Sequence, residues 1–133
     1  MCVNLNHSCR VLLIEDNQDF SDLLCAIFDL LGHQPVAAND GMRGIEIAKE
    51  FLPNIIFCDI GLPGMNGYDF ARKIRRMEQF RSIYLVALSG YVQQKHIRDA
   101  IEAGYNCHIA KPVDMVTMRQ VLSKVQSQTQ PNR

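Results

Sequence analysis

Short, continuous apolar runs alternate with stretches of helical period from residue 10 to about residue 127, and no repeat or low-complexity tract interrupts them. "RVLLIED" predicts a first strand. A helix over about Gln18 to Leu31 follows, with Phe20, Leu23, Leu24, Ile27, Phe28 and Leu31 on one face and Gly32 ending the run. "PVAA", short of large residues, predicts strand two. From about Met42 to Phe51 a second helix places Ile45, Ala48 and Leu52 on a stripe and stops at Pro53. "NIIFCD" predicts strand three. Beyond a glycine-punctuated loop, Phe70, Ala71, Ile74 and Met77 mark a third helix, and "SIYLVALS" predicts the longest and most apolar strand. Helix four covers Gln94 to Ala103, with Ile97, Ala100 and Ile101 apolar and Gly104 at its end. "NCHIA" predicts strand five, and Met115, Met118, Val121, Leu122 and Val125 stripe a last helix.

Five strands separated by five helical stretches is the pattern of an α/β, doubly wound parallel sheet with helices on both faces. Right-handed crossovers fix most of its topology. Strands one, three and four carry continuous rather than alternating apolar runs, which implies burial on both faces and a central place. Strand two suits an edge.

Composition narrows the class. The chain has 133 residues, 47% hydrophobic and 21% charged, the balance of one soluble globular domain. Lys plus Arg and Asp plus Glu both number 14, so no net field favours nucleic acid or an anionic membrane surface. Partners are expected to be proteins, with no direct nucleic-acid binding and no membrane insertion. The five cysteines, Cys2, Cys9, Cys25, Cys58 and Cys107, form no C-x-x-C pair and read as free thiols of a reducing, cytoplasmic compartment. The opening "MCVNLNHSCR" has no apolar core of a leader, and no run approaches the roughly 18 residues of a membrane helix. His7, His33 and His96 show no metal-ligand spacing.

In such a sheet, ligands bind beyond the carboxyl ends of the strands. Strand one ends in Glu15 and Asp16, strand three in Asp59, strand four in Ser89, and Lys111 follows strand five. Ionised carboxylates a few ångströms apart repel by about 4 kcal/mol per close pair at an effective dielectric of 20, so a cation is implied. Hard oxygen ligands point to Mg²⁺. Lys111 supplies a second positive charge. A carboxylate beside both is placed to attack a phosphoryl group, and Asp59, alone on its central strand, is the natural nucleophile. Plainer roles coexist: Asp16 or Asn17 suits a helix N-cap, and Gly64 and Gly67 allow a tight turn before a helix.

These residues resemble the receiver domain of two-component response regulators over about residues 9 to 127. The resemblance rests on "VLLIEDN", "IIFCDIGLPGMNGYDF", "YLVALSGY" and "HIAKP", four motifs in order at four strand ends. It implies the flavodoxin-like receiver fold, with sheet order 2-1-3-4-5. Residues 10–127 would be the domain, 1–9 a short N-terminal extension and 128–133 a polar tail. It implies further that Glu15, Asp16, Asp59 and the Gly61 backbone carbonyl hold Mg²⁺, that Asp59 is the phosphoacceptor, and that Ser89 and Lys111 bind the phosphoryl oxygens. Ser89 and His108 take the switch positions, and the Lys111–Pro112 peptide is cis. The surface of helix four, strand five and helix five, with Tyr91, Ile97 and His108, would read out the state. The donor would be a histidine kinase or phosphotransfer protein, the receiver of the signal a downstream protein, and the chain a monomer or weak dimer. It would be no enzyme beyond its own phosphorylation and dephosphorylation.

Departures from the family pattern are Ser89 where many relatives have threonine, Gly61 where larger side chains are frequent, and His108 in place of Tyr or Phe. His108 as a core or edge histidine is an equal reading. The chain reads as a stand-alone regulator without an output domain, or as the receiver segment of a hybrid histidine kinase. An aspartyl-nucleophile Mg²⁺ phosphohydrolase is a different class, but such enzymes commonly carry a second acid two residues after the nucleophile, where Gly61 stands. A flavin or nucleotide carrier needs a phosphate-cradling loop after strand one, where "EDNQDF" is acidic and glycine-free. A receiver that binds partners independently of Asp59 also stays open.

Overall fold

The computed structural model describes residues 8–62, 64–90 and 94–129. Five strands, β1 (Arg10–Ile14), β2 (Gln34–Ala38), β3 (Ile55–Asp59), β4 (Tyr84–Ser89) and β5 (Cys107–Ala110), alternate with five helices. These are α1 (Gln18–Leu30), α2 (Gly41–Phe51), α3 (Gly67–Arg76), α4 (Gln94–Ala103) and α5 (Met115–Thr129). All strand pairs are parallel and the order is β2-β1-β3-β4-β5, so β2 is an edge and β1, β3 and β4 are internal. This is the α/β doubly wound sheet that the apolar pattern predicts, in the flavodoxin-like order that the resemblance implies.

Successive residues of each central strand face opposite sides, which splits the core into two layers. Leu12, Ile14, Ile56, Cys58, Leu85 and Ala87 meet α2, α3 and α4 through Ile45, Ala48, Phe70, Ile74 and Ala100. Val11, Leu13, Ile55, Phe57, Val86 and Leu88 meet α1 and α5 through Leu24, Phe28, Met118 and Leu122. Phe28 and Phe57 lie at 5.0 Å between ring centroids, inclined by 39°, within the range of attractive ring contacts. Both layers are sealed by central strands whose side chains are almost wholly buried. That burial makes the sheet a rigid frame for whatever its strand ends carry.

The helical stripes are narrower than the sequence suggests. Leu23, Leu52 and Ile101 are about half exposed, because a stripe of six apolar residues on a helix is wider than the strip that one sheet face covers. Leu52 is outside α2, as its C-cap, with φ 52° in the left-handed region. Arg10 from β1 satisfies that end: its Nε donates to the Phe51 carbonyl at 3.1 Å and its Nη2 to the Leu52 carbonyl at 2.6 Å. A short 3₁₀ turn, Glu78–Phe80, joins α3 to β4 and has no counterpart in the periodicity. Cys9, counted by sequence with the N-terminal extension, is buried in the α1/α5 layer and donates its N–H to His33 Nδ1 at 3.0 Å. Among the described residues, no helix is long and apolar enough to cross a membrane.

Candidate functional site

The chemistry gathers at the carboxyl edge of β1, β3 and β5. β1 continues as far as a backbone bond from Glu15 N–H to the Ala38 carbonyl, which turns the Glu15 side chain inward until it is almost fully buried. One of its oxygens, Oε2, accepts the Asn17 N–H at 3.1 Å. Asn17 in turn caps α1, its Oδ1 accepting the Phe20 N–H at 3.0 Å. Of the two capping candidates, Asn17 is therefore the one used, and Asp16 stays exposed beside Glu15.

Asp59 ends β3 with its side chain mostly buried. Its Oδ1 accepts the Gly61 N–H at 3.0 Å, and its Oδ2 accepts from Lys111 Nζ at 3.1 Å. Lys111 Nζ also donates to Glu15 Oε1 at 3.1 Å, so one ammonium bridges the ends of two strands. The same nitrogen stands 4.8 Å from the centre of the Phe20 ring, a cation–π contact that the helical period of α1 does not announce. The Lys111–Pro112 peptide is cis. Carboxylate oxygens of Glu15, Asp16 and Asp59 all lie within 4.8 Å of one another.

The electrostatics follow from that crowding. Burial pushes the Glu15 carboxyl up from its ordinary value, and the neighbouring Asp59 charge adds to the rise, against the lowering effect of the Asn17 N–H and Lys111. Burial works against the Lys111 ammonium, but its bonds to Glu15 and Asp59 outweigh this and raise its pKa. Lys111 is thus held charged, and it brings one positive charge to three acids. Hard carboxylate oxygens in surplus over positive charge fit a cation of the Mg²⁺ type. A cavity of about 250 Å³ opens next to this cleft between α1 and β2, reaching Glu15 and Arg43 but not Asp59 or Lys111.

The other predicted residues surround this centre. Ser89 ends β4, almost wholly buried, and its carbonyl accepts the Lys111 N–H at 2.9 Å. His108 is half-buried on β5, opposite Ala87 of β4. Ile97 is half-buried on α4, and Tyr91 lies outside the described residues. Gly64 has φ 72°, the left-handed conformation a glycine turn supplies, whereas Gly67 is required for room. A Cβ there would stand 2.5 Å from Ile60 Cα.

Known proteins place this geometry. The family model of the response regulator receiver domain matches residues 11–123. Sporulation initiation phosphotransferase F of Bacillus subtilis is 24% identical over 115 residues, 86% of this chain and 91% of that protein. The transcriptional regulatory protein YxdJ of Bacillus subtilis is 31% identical over 119 residues, 90% of this chain but 49% of that protein. Among solved structures, the receiver domain of sensor histidine kinase PA1611 from Pseudomonas aeruginosa PAO1 superposes with a TM-score of 0.83 at 27% identity, covering 90% of this chain and 98% of that one. That structure holds a magnesium ion coordinated in its active site cleft.

Proposed function

The chain belongs to the response regulator receiver domain family, and from that premise we propose that Asp59 accepts a phosphoryl group from a phosphohistidine donor and that the modified state alters binding to a protein target. One observation carries the reading: the Asp59 carboxylate is fixed between Lys111 Nζ and the Gly61 N–H, with Glu15 and Asp16 oxygens alongside. A carboxylate oxygen of Asp59 forms the bond to phosphorus while the phosphorus–nitrogen bond breaks. The electron pair leaves with the imidazole, which takes a proton from solvent. Lys111, kept charged by its neighbours, draws a phosphoryl oxygen toward β5, and the Ser89 hydroxyl donates to another.

Glu15, Asp16, Asp59 and the Gly61 carbonyl would hold Mg²⁺, which when bound neutralises charge on the phosphoryl oxygens and the crowded acids. The donor is a histidine kinase or a phosphotransfer protein. Readout runs through α4, β5 and α5, where Ile97 and His108 sit half-buried and able to repack as charge-assisted bonds reorder the loops. The thiols of Cys9, Cys25, Cys58 and Cys107, which form no disulfide among the described residues, suit a reducing cytoplasm. The protein turns over no external phosphate ester.

Intact-mass measurement after incubation with Mg²⁺ and a small-molecule phosphodonor tests the reading. One Mg²⁺-dependent phosphoryl adduct is expected, absent from Asp59→Asn. A well-folded wild-type protein without an adduct would favour a receiver phosphorylated only by its kinase or one that binds independently of phosphorylation, and release of phosphate beyond one equivalent would make the protein a hydrolase.

A further inference from the structure

Three consecutive residues fasten the α4–β5 connection to α3. Arg75 Nε donates to the Gly104 carbonyl at 2.9 Å, Arg75 Nη2 donates to Asn106 Oδ1 at 2.8 Å, and the Tyr105 hydroxyl donates to the Gly67 carbonyl at 2.7 Å. The first two bonds grip the carboxyl end of α3. The third reaches its first residue. Tyr105 stands two residues before β5, at the amino edge of the sheet, whereas Gly67 directly follows the loop that leaves Asp59 at the carboxyl edge. The buried Tyr105 side chain therefore spans from one edge of the sheet toward the other, within the layer of Cys58, Ile60 and Phe70.

Gly67 is the tightest point of that loop. Its N–H donates to the Ile60 carbonyl at 2.9 Å, and a Cβ on it would meet Ile60 Cα at 2.5 Å and the Asp59 carbonyl oxygen at 2.8 Å. With backbone packed directly on backbone, a displacement of Gly67 displaces Asp59 and Ile60. The Tyr105 side chain shares its buried layer with Cys58, one residue before Asp59 on β3. Tyr105 thus packs in the layer that holds the residue before Asp59 and is bonded to the segment after it.

We infer that Tyr105 is a positioning residue for the acceptor loop: its hydroxyl ties Gly67, and through it Asp59 and Gly61, to the α4–β5 connection, so that this connection and the occupancy of the acidic cleft bias one another. The coupling half of this inference rests on the receiver reading above. Tyr105 takes no part in the chemistry. Its bond is buried, so removing the hydroxyl leaves the Gly67 carbonyl short of a partner without opening a cavity.

Tyr105→Phe keeps the ring and removes only the oxygen. In the metal-free variant, amide hydrogen exchange at residues 60–62 and 64–67 is expected to quicken about three- to tenfold, the worth of one buried hydrogen bond, with β1 and β2 unchanged. Mg²⁺ affinity, followed by NMR titration, should weaken by a similar factor. Coupling is reciprocal, so Mg²⁺ should also shift the Asn106 and Cys107 amide resonances in the wild type, and that response should fade in the variant. A lowered melting temperature with unchanged loop exchange and Mg²⁺ affinity would reduce Tyr105 to a packing residue and overturn the inference. Silence of Asn106 and Cys107 on Mg²⁺ binding to the wild type would overturn it without any variant. Wild-type protein that forms no Asp59 adduct sinks the phosphoacceptor reading instead, and the metal-free exchange result still decides whether Tyr105 fixes the loop.

Discussion

Lys111 and Arg75 are cations held at opposite ends of one sheet by different kinds of partner. At the carboxyl edge Lys111 bridges the carboxylates of Glu15 and Asp59, both at 3.1 Å. At the amino edge the Arg75 guanidinium donates to the carbonyls of Gly104, Phe80, Arg81 and Ile83 and to Asn106 Oδ1. The Arg75 partners are mostly backbone, fixed by the fold and unable to change charge. Those of Lys111 are carboxylates, which in the proposed function would exchange the lysine for a metal or a phosphoryl group. One end of the sheet is built to stay and the other to be rearranged, although both hold a half-buried cation.

The largest effect should come from breaking the fixed end. Arg75→Met leaves several partly buried carbonyls without donors and frees the α4–β5 connection, and urea denaturation should show a loss of about 2–4 kcal/mol. A loss under about 1 kcal/mol would mean that water serves those carbonyls as well as the guanidinium does. The two ends would then differ less than their partners suggest.

Lys111→Met tests the exchangeable end. Without the ammonium, Glu15, Asp16 and Asp59 repel one another and the metal-free protein should lose about 1–2 kcal/mol. Because the lysine competes with the cation for the same oxygens, calorimetric titration should show Mg²⁺ binding tightened about tenfold, while adduct formation at Asp59 slows. Weaker Mg²⁺ binding would instead make Lys111 an organiser of the acids, closer in kind to Arg75.

Much of the carboxyl edge was legible in the sequence. Glu15, Asp16, Asp59, Ser89 and Lys111 end or follow strands that their apolar runs announce, and parallel topology brings strand ends together whatever the loops do. The amino edge was not legible. Arg75 reaches carbonyls on two separate segments, and backbone carbonyls carry no sequence identity, so no motif or period marks such a clasp. Tyr105 escaped for the related reason that its partner is the Gly67 carbonyl. Phe20 was placed correctly on the apolar stripe of α1, yet its contact with Lys111 joins residues from opposite ends of the chain. Leu23 and Ile101 were assigned inward by period alone, and it is packing against the sheet, absent from a periodicity, that leaves them half exposed.

The smallest predicted effect concerns two buried titrating groups near the two ends of β1, and it separates them by sign. His33 is buried and accepts the Cys9 N–H on Nδ1, a bond the doubly protonated ring cannot accept, and burial lowers its pKa from the ordinary 6.5. A depressed folded value means that the stability His33 contributes is fully present above about pH 6.5 and is lost as pH falls through 6.5 toward that depressed value. Glu15 behaves oppositely, since its folded pKa is raised by burial: its contribution is full below about pH 4.5, its ordinary value, and declines as pH rises through the raised one. Between pH 7.5 and 5.5, wild-type stability should therefore fall by about 1 kcal/mol relative to His33→Gln, in which an amide oxygen can keep the Cys9 bond without titrating. Saturating Mg²⁺ should leave that difference unchanged, because His33 lies at the fixed end, but should flatten the slope due to Glu15. A His33 effect that disappears with Mg²⁺ would show that the two ends communicate along β1, and the division between a fixed end and an exchangeable end would have to be redrawn.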